Sequence, residues 1–302
     1  MADSKLTYSQ FSFVFFNILI EMFFARYFLN LRSKFENNSL MKIIVWIYLT
    51  IYFCVLTIYS CIAQGYGDTT EIRILLNSAD SLHVKGQYPD AQQLRTKAML
   101  LIDSFSLERS LIAAEACHKV GESYFTLGDY HQALSYFQRA LEWKKLHYNG
   151  NDLQLAISYN DIGLAQMGLG NNEAAIEKFN NAIQIREVQY GKNNPSVAKV
   201  KMNLASAYFN LNEIESSIKL NKEILYVFEN AATEDKDNWI RSKISTMGNL
   251  ANAYAARGSY EKALNLQFEC LFLRQEYLGI KHPETVTSYG NIGVIYERMP
   301  YY

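Results

Sequence analysis

The sequence predicts an all-α chain, a solenoid of stacked helix hairpins preceded by a hydrophobic N-terminal region. Three observations carry this. Small and aromatic residues return at a fixed interval from Ala79 to the end of the chain. Between those points apolar residues recur at three and four, as in Ala133, Leu134, Phe137, Ala140 and Leu141, which is the spacing of one helix face. Finally, 4 Pro and 15 Gly in 302 residues are too few breakers for many short strands. With 49% hydrophobic residues the chain is not disordered, and 29 Lys+Arg against 30 Asp+Glu leaves no basic excess to recruit nucleic acid.

The first seventy residues are membrane-directed. From Ile43 to Ala63 the chain carries no charge over a length sufficient to cross a hydrocarbon core as a helix, so 43–63 is expected to be a transmembrane helix or a signal peptide. An earlier apolar stretch, 11–31, contains Glu21 and Arg26 and makes a weaker span. Arg32, Lys34 and Lys42 outweigh Glu36 between them, which keeps that loop cytoplasmic and sends the rest of the chain across. The part after residue 68 is therefore expected to be extracytoplasmic, membrane-anchored or exported, on the periplasmic side in a bacterium. A cleaved signal is equally consistent, with Met41-Lys42 opening it and Cys61-Ile62-Ala63 as the small-x-small site. Ile58-Tyr59-Ser60-Cys61 resembles a lipoprotein box except for the bulky Tyr59.

From residue 69 onward one unit is repeated. Its anchor is the small residue in Ala79, Gly121, Gly163, Ala205, Ala251 and Gly293. Three residues later stands Tyr124, Tyr208, Tyr254 or Tyr296, and seven later Gly86, Gly128, Gly170 or Gly258, with Asn212 in the fourth copy. Twelve after the anchor come Ala91, Ala133, Ala175, Ser217 and Ala263, and nineteen after it Ala98, Ala140, Ala182, Ile224 and Cys270. Small residues belong where two helices cross closely, and the glycine belongs at the left-handed stop of the first helix. Second helices are expected to begin near Tyr88, Tyr130, Asn172, Glu213 and Tyr260, giving five full hairpins. A sixth first helix, Glu284 to Arg298, has no partner before the chain stops, so a fragment of a longer protein is expected. The segment 230–238, NAATEDKDN, carries four extra residues and is expected to be a longer, acidic loop.

These columns resemble the tetratricopeptide repeat. The longer period, with Gly191-Lys-Asn-Asn-Pro195 and Gly279-Ile-Lys-His-Pro283, resembles the kinesin light chain type, in which a Gly-x-x-x-Pro loop joins repeats. The resemblance covers 69–302 and implies a right-handed superhelix with its first helices on the concave side. It also implies a non-enzymatic scaffold that binds a protein or peptide in that groove, through an Asn two residues before each anchor. Here that position reads Asn77, Lys119, Asp161, Asn203, Asn249 and Asn291.

On the same face stand Lys199, Asn210 and Asn252, with Arg73, Asp80, Glu115, Glu122, Ser206 and Arg298. An amide presents donor and acceptor together, which suits a peptide main chain; the same amides can instead bridge neighbouring helices within the array. Ile157, Leu164 and Met167 make one copy more apolar on or beside this face, either as a pocket for a partner side chain or as core filling.

Sites for chemistry are not evident. His83, His118, His131, His147 and His282 are scattered, and His282 before Pro283 reads as a loop residue. Gly163 to Gly170 has no following Lys-Ser/Thr, there is no Cys-x-x-Cys for a metal, and Cys117 and Cys270 lie too far apart in the pattern for a disulfide framework. No enzyme, metal or cofactor is expected. The segment Ser78-Ala-Asp-Ser-Leu82 with Lys85-Gly-Gln-Tyr88 also resembles the opening of bacterial exported arrays that continue into histidine kinase or caspase-like peptidase domains. On that alternative the chain is the sensor or recruitment half of a longer protein.

Overall fold

The computed structural model describes residues 69–230 and 236–300, together with Ile47, Thr50, Ile51, Tyr52 and Cys54. The chain divides into two compact units, 1–67 and 68–302. In the first unit the five described residues are helical, while the stretch 11–31, the box Ile58–Cys61 and most of 43–63 lie outside the described residues. Among the described residues no helix is long and apolar enough to cross a membrane.

The second unit is helical throughout its described part, with no strand among the described residues. Its helices are α1 (69–84), α2 (Tyr88–Ser104), α3 (Leu111–Thr126), α4 (Tyr130–Lys144), α5 (Leu153–Gly168), α6 (Asn172–Tyr190), α7 (Pro195–Asn210), α8 (Ile214–Glu229), α9 (Lys236–Ala256), α10 (Tyr260–Leu278) and α11 (Pro283–Arg298). Odd-numbered helices are the first of each hairpin and even-numbered the second. Each packs mainly on its sequence neighbours, as a solenoid requires.

One turn closes every hairpin. Gly86, Gly128, Gly170 and Gly258 adopt φ of +76° to +81°, and Asn212, which replaces glycine in the fourth copy, adopts +62°. The N–H that follows each of them donates back to the tyrosine-column carbonyl: Asp129 to Tyr124 at 2.9 Å, Glu213 to Tyr208 at 2.9 Å and Ser259 to Tyr254 at 2.8 Å. This is the six-to-one bond that ends a helix through a left-handed residue.

Between hairpins, Gly191 and Gly279 are again left-handed, at +83° and +89°. Pro195 and Pro283 then open α7 and α11, where a missing N–H costs nothing. His282 is the N-cap of α11, its Nδ1 accepting from the Glu284 N–H at 3.3 Å, which gives it the loop role expected of it.

The end of the segment 230–238 departs from expectation. α9 starts at Lys236 and runs 21 residues against 16 for α3, α5, α7 and α11, so part of the insertion lengthens a helix and does not stay in the loop. Trp239 supplies the reason: its ring lies 6.1 Å from that of Phe228, and the Lys199 ammonium sits 4.6 Å above it. Those contacts fix the first turn of α9 against α7 and α8. Residues 231–235 lie outside the described residues.

The core runs along the array as a series of clusters. Every small column is inside it: Ala79, Ala91, Ala98, Ala133, Ala140, Ala175, Ala182, Ala205, Ala251 and Ala263 are wholly buried, as is Cys270. Cys117 and Cys270 are free thiols that burial raises to about 11, which keeps them protonated and inert.

Candidate functional site

Sixteen residues after each anchor a side chain points into the hairpin, and its identity follows the anchor. Where the anchor is glycine the residue is Phe137 or Phe179; where it is alanine the residue is Arg95, Asn221 or Gln267. All five are at most 2% exposed. Arg95 is thus a charge placed in the slot that Phe137 fills one repeat later, and a charge there requires partners.

The first helices supply them. Arg95 Nη1 donates to the Lys119 carbonyl at 2.6 Å and to Ser123 Oγ at 2.7 Å, and Nη2 donates to Asp80 Oδ1 at 2.9 Å while lying 3.6 Å from Glu122 Oε2. Lys119 pairs with the second oxygen of Asp80. Burial works against the Asp80 carboxylate, and Lys119 and Arg95 together outweigh it, holding its pKa below the usual range.

One turn further along the face, His118 Nε2 stands 3.3 Å from Asp161 Oδ2 and 3.6 Å from Glu122 Oε1. Asn160 Nδ2 donates to Asp161 Oδ1 at 3.0 Å, and Asn203 Nδ2 donates to Asn160 Oδ1 at 2.9 Å. Polar side chains therefore follow one another across four successive first helices, from Asp80 on α1 through α3 and α5 to Asn203 on α7, the step from Glu122 to His118 being a 3.6 Å approach and not a hydrogen bond.

The charges in the chain are unevenly satisfied. Burial pushes the Asp161 carboxyl up to about 6, with Glu122 adding to the rise against Asn160, Lys144 and Arg186. Burial together with Lys144, Lys119 and Arg95 pulls His118 down to about 3, so its imidazole is neutral near pH 7. Behind them Lys144, itself buried, donates to Ser158 Oγ at 3.0 Å. Arg274 makes the same step to Ser288 at 2.7 Å, so this cation linking one hairpin to the next recurs.

Between α1, α3 and α5 the face opens into a cavity of about 430 Å³. Its apolar wall is Val84, Phe125, Phe137 and Leu164; its polar end is Asp80, Arg95, Lys119, Glu122 and Asp161.

The residues expected on this face divide. Lys119, Asp161 and Asn203 belong to the polar chain. Asn210 donates instead to Asn172 at 3.1 Å beside the hairpin turn, Asn252 accepts from Gln267 at 3.5 Å, and Lys199 lies over Trp239. Asn77 is exposed and Asn249 and Asn291 half-buried. Leu164 and Met167 both pack on the core, and Leu164 also lines the cavity. Arg95 and Asn160 are not among the expected residues, and His118 is expected only as one of the scattered histidines; a cation in a column otherwise filled by Phe or an amide marks Arg95. Among the described residues no group of three or more metal-ligating side chains is brought together.

Helix hairpins closed by left-handed residues and stacked at a fixed period define an α-solenoid of interaction-module type. The tetratricopeptide repeat model matches residues 70–145, 154–230 and 242–299, and the chain belongs to that family. Among solved structures it is similar to BtubC (BKLC) from P. vanneervenii, with a TM-score of 0.60 and 18% identity over 77% of this chain and 92% of that one. It is also similar to a Podosopora anserina protein described as a kinesin light chain with nearly identical TPR-like repeats, with a TM-score of 0.58 and 16% identity over 68% of this chain and 95% of that one. At these identities the likeness is one of fold. No curated protein matches the sequence significantly. The family fold is generally a non-enzymatic scaffold for protein partners.

Proposed function

We propose that the array binds an extended peptide segment of a partner protein along the face of its first helices. One observation carries this reading: the polar chain from Asp80 to Asn203 spans four repeats and remains partly open to solvent, with side-chain exposure of 38% at Asp80, 43% at Glu122 and 21% at Asp161. Asn203 uses one amide hydrogen on Asn160, which leaves its second hydrogen and its carbonyl oxygen for a peptide main chain. The charge run Arg32, Lys34 and Lys42 before 43–63 supports an array held on or beyond the far side of a membrane.

The test uses peptides selected on the full-length chain from a random display library. Asn203→Ala combined with Asn249→Ala is expected to weaken the selected peptides at least tenfold while the thermal midpoint falls only slightly. Unchanged affinity in a variant that has lost stability would assign these amides to the scaffold alone.

A further inference from the structure

The cations of the polar face are more fully engaged than Glu122 and Asp161. Arg95 is 2% exposed and its Nη atoms serve Lys119, Ser123 and Asp80, with Glu122 at the edge of its reach; Lys119 is paired with Asp80. Glu122 and Asp161 by contrast turn toward the same nitrogen of His118. A neutral imidazole carries one N–H, so at most one of the two carboxylates can receive it. Beyond them, the cavity wall is formed by the rings of Phe125 and Phe137 and the side chain of Leu164. Aromatic faces attract cations, and an apolar wall accommodates a methylene stem.

We propose that this cavity is the subsite for one cationic side chain of the bound peptide, an arginine or a lysine, whose head lies between Glu122 and Asp161 and whose stem lies against Phe125, Phe137 and Leu164. The proposal rests on the peptide-binding reading above and names the residue that peptide must carry. Within the lining three carboxylates, Asp80, Glu122 and Asp161, outnumber two cations, Arg95 and Lys119, while Lys144 and Arg186 stand behind Asp161 outside the lining. The cavity, at about 430 Å³, falls near the lower end of sites for small ligands and suits a single long side chain. An acidic side chain would instead bring a third anion against Glu122 and Asp161, which disfavours it.

Binding of a cation also favours the ionised carboxylate, so affinity should rise with pH through about 6, where Asp161 titrates. Burial sets that value first; the groups that face Asp161 are His118 and Glu122 from α3, Asn160 beside it, Lys144 from α4 and Arg186 from α6.

Peptide display on the full-length chain tests the proposal, using a random decapeptide library selected in parallel on the wild type and on Glu122→Gln combined with Asp161→Asn. Wild-type selection is expected to converge on peptides with one invariant Arg or Lys. The double variant, with an unchanged circular dichroism spectrum, is expected to lose the preference at that position and keep the rest of the pattern. Replacing the selected arginine by citrulline, which keeps the shape without the charge, is expected to cost at least tenfold in affinity. Selected peptides without a basic position, or a basic preference that survives in the double variant, would overturn the subsite while leaving the groove reading in place. Failure to select any peptide would overturn both.

Discussion

Gly121 lies directly beneath the ring of Phe137: a Cβ added there would fall 2.6 Å from Phe137 Cδ1 and Cε1. Gly163 and Phe179 repeat the relationship one period later, again at 2.6 Å. Gly121→Ala or Gly163→Ala should therefore destabilise by about 1–3 kcal/mol, the cost of overpacking a close-packed site. Gly293 is the equivalent anchor on α11 and has nothing within 4 Å, so Gly293→Ala should stabilise by about 0.5–1 kcal/mol through helix propensity alone. Thermal midpoints of the three variants check this. Phe137→Leu should recover most of the Gly121→Ala loss.

The hairpin turns predict an opposite pair of effects. Gly128 sits at φ +81° with open space around it, so Gly128→Ala costs backbone strain and no clash, about 1–2 kcal/mol. Asn212 holds the same position at +62°, and Asn212→Gly should be neutral or stabilising by a few tenths of a kcal/mol. Equilibrium unfolding in urea measures both.

Arg95 should be among the least replaceable residues of the array. Arg95→Ala strands Asp80, Ser123 and the Lys119 carbonyl and opens a cavity, for an expected loss of about 3–5 kcal/mol. Arg95→Lys should not rescue it, because one ammonium cannot bridge the partners that two guanidinium nitrogens reach. A thermal midpoint within 2 °C of wild type for Arg95→Lys would contradict the geometry.

Two buried groups give stability opposing pH dependences. The Asp161 pKa is raised from 3.8 to about 6, so the folded state holds that proton more tightly; its contribution is fully present below 3.8 and is lost as pH rises through about 6. The His118 pKa is lowered from 6.5 to about 3, so its contribution is present above 6.5 and is lost as pH falls toward 3. Asp161→Asn should therefore lose stability relative to wild type on acidification from pH 6 to 4, and His118→Asn should gain it from pH 6.5 to 4. Urea midpoints at pH 4, 5, 6 and 7 read both signs.

Much of this fold is legible in the sequence because a repeat states each constraint several times. Ala133 or Ala175 alone means little, yet together they mark a close helix crossing, and Gly128 with Gly170 marks a turn that Asn212 also satisfies. Residues 236–238 join a helix, against the loop expected of them, because Trp239 meets Phe228 and Lys199, a tertiary contact without a local signature.

The candidate face was legible only in part for a similar reason. Lys119, Asp161 and Asn203 fall in one column, so periodicity found them. Arg95 comes from the second helix of its hairpin, and His118 and Asn160 lie one residue before the column, so only the packing of α2 against α1 and α3, and of α3 against α5, joins them. Asn210 and Asn252 share the expected face by spacing, but Asn172 and Gln267 draw them into bonds of their own.

The central claim is that the first helices, and not the second, hold the partner. Amide hydrogen exchange on the full-length chain, with and without a display-selected peptide, tests it most directly. Protection concentrated in α3, α5 and α7 around His118, Asp161 and Asn203 is the expected result. Protection confined to α4, α6 and α8, with those three positions unchanged, would contradict it.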